Sequence, residues 1–261
     1  MIYHYCAVDS IVPIISSKQL WMSDLEKMND PSEYNLGFDI VLSEFGEIYP
    51  EHIPWLEYRH TKHSNRVLST SFTKQGDMLS QWRAYASNGS GISLGFDIEV
   101  LLDINKYIQS DEINYSKSFL IEKARKLITN HEVNENSFVM KGFNTYDLNL
   151  ATELSKLSIF YKSEFYREEE EVRLVTYLND DSVIHSKQTG NKIEDREVQF
   201  RVSQYGLVPY MGLKFCDENR NALREVIIGP NSALAPNDVK LLLECNHLTD
   251  VKVVSSNGNY R

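Results

Sequence analysis

The sequence predicts one mixed α+β domain. Three observations carry that expectation. Strand-like and helix-like segments are interleaved without the regular βαβ alternation of a doubly wound sheet. No linker, low-complexity tract or internal repeat divides the chain, and its 261 residues suit one large domain or two small ones. A polar, Gly- and Pro-poor stretch near residues 105–145 reads as a helical insertion rather than a second domain.

The elements follow in order. Ile2 to Ala7 reads as a short strand, and Asp9 and Ser10 offer an N-cap for a short helix with Pro13 in its first turn, ending near Lys18. Leu20-Trp21-Met22-Ser23 reads as a second strand, and Lys27-Met28-Asn29-Asp30-Pro31 as a turn, since Asn, Asp and Pro each favour turn geometry. Residues 50–64 read as a loop or short helix. Arg66 to Phe72 is rich in β-branched and aromatic residues and reads as a strand. Asp77 to Ala86 reads as a helix capped by Asp77, with Met78, Trp82 and Tyr85 at helical spacing. Asn88-Gly89-Ser90-Gly91 breaks the chain before a strand over Ile92 to Phe96. Ser116 to Thr129 reads as a helix with Ser116 as N-cap, and Leu148 to Phe160 as a second helix, on Leu148, Ala151, Leu154 and Leu157. Val172 to Tyr177 is a strand, 178–197 a loop, and Val198 to Val202, Leu207 to Phe215 and Glu225 to Ile228 are strands. Asn237 to Cys245 is a terminal helix and Val251 to Val254 a final strand.

Bulk composition narrows the function classes. Hydrophobic residues make up 42% and charged residues 25%, an ordinary globular balance. The net charge of -10 gives no general field for nucleic acid, although a local basic groove stays open. Cys6, Cys216 and Cys245 are widely spaced with no CxxC, which argues against a disulfide framework or zinc knuckle and fits a reducing cytosol. The start, Met1 to Tyr5, lacks a basic n-region and a long apolar run. No segment approaches the roughly 18 apolar residues of a membrane span. The expectation is a cytoplasmic protein without a membrane partner.

Four consecutive glutamates, Glu168 to Glu171, run into the strand Val172 to Tyr177. Alternation along a strand puts Glu169, Glu171 and Arg173 on one side, with Glu168/Glu170 as the rival pair. The odd pair is preferred because Arg173 then holds its carboxylate ionised. Two aligned carboxylates beside a guanidinium can do acid/base work or bind ribose hydroxyls; the same run also fits a solvated strand edge. Metal chemistry has no HExxH, no Asp-x-Asp loop and only His60 and His63, read as surface histidines, so no metal is expected. Gly89-x-Gly91-x-x-x-Gly95 precedes a strand instead of opening a helix, so it lacks the helix N-terminus that binds phosphate. There is no GxSxG elbow. What remains is Tyr3-His4-Tyr5, Ser69-Thr70-Ser71 on a strand, the helix bearing Gln81, Trp82, Arg83 and Tyr85, and Glu169-x-Glu171.

The order of these motifs resembles the ADP-ribosyltransferase superfamily. That resemblance implies a strongly twisted sheet or split β-sandwich flanked by helices, and NAD as substrate. It implies that His4 holds the NAD ribose, that Ser69 and Ser71 support the nicotinamide pocket, and that Glu171 stabilises the oxocarbenium-like transition state while Glu169 activates the acceptor. Tyr3, Tyr5, Trp82 or Tyr85 would stack on nicotinamide. The first-strand residue is His rather than Arg, which mixes features of two transferase subgroups. The implied partner is a macromolecular acceptor, protein favoured over nucleic acid by the acidic charge, with room for a neutralising partner protein. Over nearly its whole length the chain also resembles a bacterial family of unknown function. The marks are Tyr3-His4-Tyr5, Leu20-Trp21-Met22-Ser23, Met28-Asn29-Asp30-Pro31-x-Glu33, Trp82-x-x-Tyr85-Ala86, Gly91-x-x-Leu94-Gly95-Phe96, Glu169-x-Glu171-x-Arg173 and Glu225-Val226-Ile227-Ile228-Gly229. Such proteins look like components of toxin or anti-phage defence systems. Two other readings stand beside the transferase. One is a nuclease or phosphodiesterase built on His4, Arg83, Asp30, Glu33 and the glutamates. The other is a non-catalytic module that binds a nucleotide or phage component through Trp21, Trp82 and Tyr85.

Overall fold

A computed structural model describes residues 1–28, 31–62, 65–131, 145–179, 197–203 and 206–258. Its elements run β1 (Ile2–Cys6), α1 (Ile11–Ser17), β2 (Gln19–Asp24), α2 (Pro31–Ile48), α3 (Ile53–Lys62), β3 (Asn65–Thr73), α4 (Leu79–Tyr85), β4 (Ile92–Phe96), α5 (Ile98–Ile104), β5 (Gln109–Glu112), α6 (Lys117–Thr129), α7 (Thr145–Ile159), β6 (Glu171–Asn179), β7 (Gln199–Ser203), β8 (Gly206–Lys214), β9 (Leu223–Ile228), α8 (Pro236–Cys245) and β10 (Lys252–Ser255). The fold is mixed α+β, as the interleaved patterns predict: among the described residues, one open sheet of ten strands with helices against it. First and last strands share that sheet, in the order β10-β9-β4-β1-β3-β2-β8-β7, with β6 on β3 and β5 on β6.

β3 is the branch point. One edge pairs with β6 along its whole length, from Asn65↔Asn179 to Thr73↔Glu171. The other edge is shared: β2 takes Leu68 and Ser69, β1 takes Thr73. Between them, residues 70–72 have no strand on that side, so β1 and β2 splay apart and leave a gap in the sheet. The periodicity of two decides what faces this gap. Leu68, Phe72, Val172 and Leu174 point into the main core, which α1, α5 and α8 close with Ile11, Ile15, Leu101, Val239 and Leu243. Ser69, Ser71 and Thr73 point the other way, beside Arg173 and Glu171 of the paired strand. α2, α3, α6 and α7 form a second core of their own, around Val41, Phe45, Leu56, Ala124, Ile128 and Leu154. Gly37 lets α2 and α7 meet closely; a Cβ there would stand 2.7 Å from the Ser158 carbonyl oxygen.

Several sequence expectations need correction. α2 lies where only its preceding turn was foreseen, and Pro31 is its first residue, the position where a missing N–H costs nothing. Asn29 and Asp30 fall outside the described residues, as does most of the loop expected at 178–197. α4 starts at Leu79, not Asp77, with Met78 at its N-cap. The Asp77 carboxylate instead accepts from Trp82 Nε1 at 2.7 Å, Ser256 Oγ at 2.6 Å and the Asn257 amide at 2.7 Å, tying the C-terminal segment down. The expected insertion holds β5 as well as α6; Ser116 caps α6 as predicted, accepting from the Phe119 amide. Gly89 adopts a positive φ of 84° in the turn after α4, and the Gly91 carbonyl accepts from the Gly229 amide at 3.0 Å. These glycines serve backbone packing.

Candidate functional site

The gap between β1 and β2 opens into a cleft of about 360 Å³, within the size range of small-ligand sites. Tyr3, His4 and Tyr5 of β1 line it, with Trp21 and Ser23 of β2, Ser69 to Thr73 of β3, Gln81 and Tyr85 of α4, and Glu171 and Arg173 of β6. Leu25, Met28, Lys162, Tyr166 and Glu169 complete the wall. His4, Ser71 and Glu171, from three separate parts of the sequence, thus share one cleft.

His4 closes the gap in the sheet. Its ring packs 5.7 Å from Phe72, and Nδ1 donates to the Ser71 carbonyl at 3.0 Å, an oxygen on the edge that no strand pairs. A carbonyl only accepts, so the proton sits on Nδ1 and Nε2 is left as an acceptor. Burial pushes the His4 pKa below its ordinary 6.5, against the Ser71 bond, which acts to raise it. The native state therefore binds fewer protons than the unfolded chain between that lowered pKa and 6.5, and stability rises with pH across this window. Acidification below 6.5 is expected to lower the urea midpoint, with a slope reaching about 1.4 kcal/mol per pH unit from this group. His4→Gln should flatten that step; an unchanged profile would mean that His4 titrates as in the open chain.

Glu171 is the most buried carboxylate of the cleft, 5% exposed, and it is held from three sides. Oε1 accepts from Ser71 Oγ at 2.7 Å and Arg173 Nε at 2.8 Å, while Oε2, among the described residues, has only Lys162 Nζ, at 3.3 Å. Burial raises its pKa, but the adjacent Arg173 and Lys162 charges and the Ser71 and Arg173 hydrogen bonds outweigh it, so the carboxyl stays ionised below the usual glutamate range. Among the described residues Oε1 has two donors and Oε2 one, so Oε2 has the more unused acceptor capacity. Glu169 reaches the same place by another route. It ends a 3-10 helix over Glu164–Glu169 instead of lying on the strand, and Glu170, at a left-handed φ of 42°, turns the chain into β6. Glu169 accepts from Lys162 Nζ at 2.6 Å and Tyr85 Oη at 2.7 Å. Glu168 and Glu170 are exposed, so the odd-numbered pair is the one that faces the cleft.

Other expected site residues take different places. Trp82 does not line the cleft: it is 2% exposed, donates to Asp77 and packs edge-on to Tyr5 at 4.7 Å, so it is core and no ligand platform. The Tyr5 hydroxyl is occupied, donating to the Gln75 carbonyl and accepting from the Met78 amide. Arg173 spends Nε on Glu171 and Nη1 on the Ile159 carbonyl at 2.6 Å; it positions Glu171 more than it reaches a ligand. Ser69 and Ser71 line the cleft as expected, and Tyr85, 41% exposed, stands at its mouth. Trp21 is 52% exposed and lines the opposite end. Arg83 is not among the lining residues, and Asp30 lies outside the described ones.

Sequence reasoning missed Lys162, the cation between both glutamates, whose Nζ also stands 4.5 Å from the Tyr166 ring centroid. It missed Tyr115 too, whose hydroxyl accepts the Glu171 amide at 2.9 Å. Both sit on short irregular segments with no periodic pattern.

Among the described residues no helix is long and apolar enough to cross a membrane. No curated protein and no solved structure matches the chain. Residues 81–174, from α4 into β6, match a family described as a protein of unknown function, DUF2971, a stretch that includes Tyr85, Lys162, Glu169, Glu171 and Arg173 and leaves the marks on β1, β2 and β9 outside.

Proposed function

We propose that the cleft binds NAD and that the protein transfers its ADP-ribose unit to a macromolecular acceptor. The observation that supports this reading most is the convergence of His4, Ser71 and Glu171 from the adjacent strands β1, β3 and β6 onto one cleft. In the proposed step the bond between nicotinamide N1 and ribose C1′ breaks, and its electron pair leaves with nicotinamide. Positive charge develops on the ribose ring. Glu171, ionised and fixed before substrate arrives, supplies the compensating negative charge through Oε2. Neutral His4 accepts a ribose hydroxyl hydrogen bond at Nε2. The acceptor nucleophile then attacks C1′, and its proton passes to Glu169, which is half-buried at the mouth. Water in place of the acceptor gives NAD hydrolysis.

Incubation of the protein with NAD and a cell lysate tests this reading by nicotinamide release and by label transfer from adenine-labelled NAD. Absence of release with acceptors present overturns it. Glu169→Gln separates the two carboxylates. Label transfer should fall about 10²-fold, the usual worth of a positioned general base. Nicotinamide release without acceptor should change less than transfer does. Equal losses in both would remove the acceptor-activating role from Glu169.

A further inference from the structure

The cleft has a second end, away from the glutamates, whose chemistry differs. Ser23 of β2 and Ser69 of β3 are directly opposite across the antiparallel pair, so their side chains share the cleft face. Ser69 is 1% exposed, and its Oγ has no hydrogen-bond partner among the described residues. A buried hydroxyl without a partner costs free energy, and this one lines the cleft wall. Behind Ser23 stands Arg201 of β7. One Nη donates to Ser23 Oγ at 3.3 Å, the guanidinium lies 5.9 Å from the Trp21 ring centroid, and Nε is sealed from solvent without a partner. Among the described residues no carboxylate pairs with Arg201. Arg201 is half-buried, and a guanidinium partly drawn from water without an anion carries an uncompensated charge. Trp21, tilted against Tyr210 at 4.7 Å, gives the same end an exposed aromatic wall.

We propose that this end is an anion subsite, where Ser23 and Ser69 receive a phosphate group of the ligand in the cleft, and Arg201, behind Ser23 and outside the lining residues, supplies the opposing charge through its hydrogen bond to Ser23. Two hydroxyl donors match the oxygens of a phosphate, and its charge balances Arg201. The ligand then spans the cleft, with its phosphate on β2 and β3 and its reacting centre at Glu171. The inference rests on the proposed reading only in taking the cleft as a binding site for a phosphate-bearing ligand; it needs no bond cleavage.

Calorimetric titration of the whole chain with ADP-ribose, inorganic pyrophosphate and adenosine tests it. Arg201→Gln is expected to weaken ADP-ribose and pyrophosphate binding about 10- to 100-fold, the range of charge-assisted hydrogen bonds, and to leave adenosine binding unchanged. Pyrophosphate bound alone marks a site for free phosphates; ADP-ribose bound more tightly marks a nucleotide site, and both support the subsite. Ser69→Ala guards against a folding artefact. Its hydroxyl has no partner to lose, so its melting temperature should not fall while ADP-ribose binding weakens several-fold. Arg201→Lys, which keeps the charge, should recover part of the affinity. Equal ADP-ribose affinity in wild type and Arg201→Gln overturns the proposal, as does a wild type that binds neither phosphate compound. If ADP-ribose binds in an Arg201-dependent manner while NAD is never cleaved, the transferase reading falls and the subsite stands. If NAD is cleaved with the same KM in Arg201→Gln, the subsite falls alone.

Discussion

Glu171→Gln is expected to reduce nicotinamide release from NAD by about 10²- to 10³-fold, the cost of removing a fixed group that opposes developing charge. The substitution keeps the side chain's shape and an acceptor for Ser71 Oγ; it removes the charge and turns one acceptor oxygen into an NH2 donor. Its effect on kcat should exceed its effect on KM, because the ribose ring becomes positive only as the glycosidic bond breaks. The change also has a structural cost. Arg173 and Lys162 both lean on this carboxylate, so the variant should melt lower than the wild type. Far-UV circular dichroism well below the melting midpoint separates loss of chemistry from loss of fold. Glu171→Asp provides the second reading: it keeps the charge but draws it back from the ring, and a displacement of about 1 Å at a reacting centre can alone cost 10²-fold. Release unchanged in Glu171→Gln, or a KM effect without a kcat effect, would take the catalytic role from this residue.

Arg66 to Phe72, which builds the cleft floor, was legible because it is rich in β-branched and aromatic residues. Leu68, Phe72, Val172 and Leu174 go to the main core and Ser69, Ser71 and Arg173 to the cleft, while Val67, Val175 and Tyr177 form a small apolar cluster on that second face. β5 was not legible: Gln109–Glu112 is polar throughout and is a strand only because its backbone pairs with β6. α2 was hidden by Gly37 and Gly46, which lower helix propensity and are there for close contacts with Ser158 and Ile53. Trp82 shows the limit of reading a motif residue by residue. Both lie on α4, yet the two rings part company: Trp82 packs on Tyr5 in the core, while Tyr85, the last residue of the helix, reaches the mouth. The glutamate register followed from Arg173 on the strand for Glu171 alone. Glu169 joins it through a left-handed residue at Glu170, a conformation that no periodicity announces.

Lys162→Met is expected to destabilise the fold by about 3–5 kcal/mol at neutral pH, the usual result of removing one member of a buried charge cluster. Lys162 Nζ lies 2.6 Å from Glu169 and 3.3 Å from Glu171, and its side chain is 6% exposed, against 18% and 5% for the two carboxylates. Methionine fills the volume of the lysine stem, so the loss is electrostatic rather than a cavity. Arg173 still holds Glu171 in the variant, and the uncompensated charge falls on the space between the two carboxylates. Glu171 loses one of the two cations that hold its pKa down, so it takes up a proton more readily than in the wild type. The signs therefore oppose each other. In the wild type, Glu171 has a lowered pKa, so its contribution is complete above the open-chain value of 4.5 and is lost as pH falls through the folded value. In the variant, Glu171 protonates at a higher pH than in the wild type, so the deficit relative to wild type narrows as pH falls towards roughly the glutamate range. Urea unfolding of both proteins from pH 7 downward measures this directly. A deficit that stays constant with pH would mean that lost packing, not lost charge, accounts for it, and a deficit under about 1 kcal/mol would mean that Lys162 behaves as a surface ion pair.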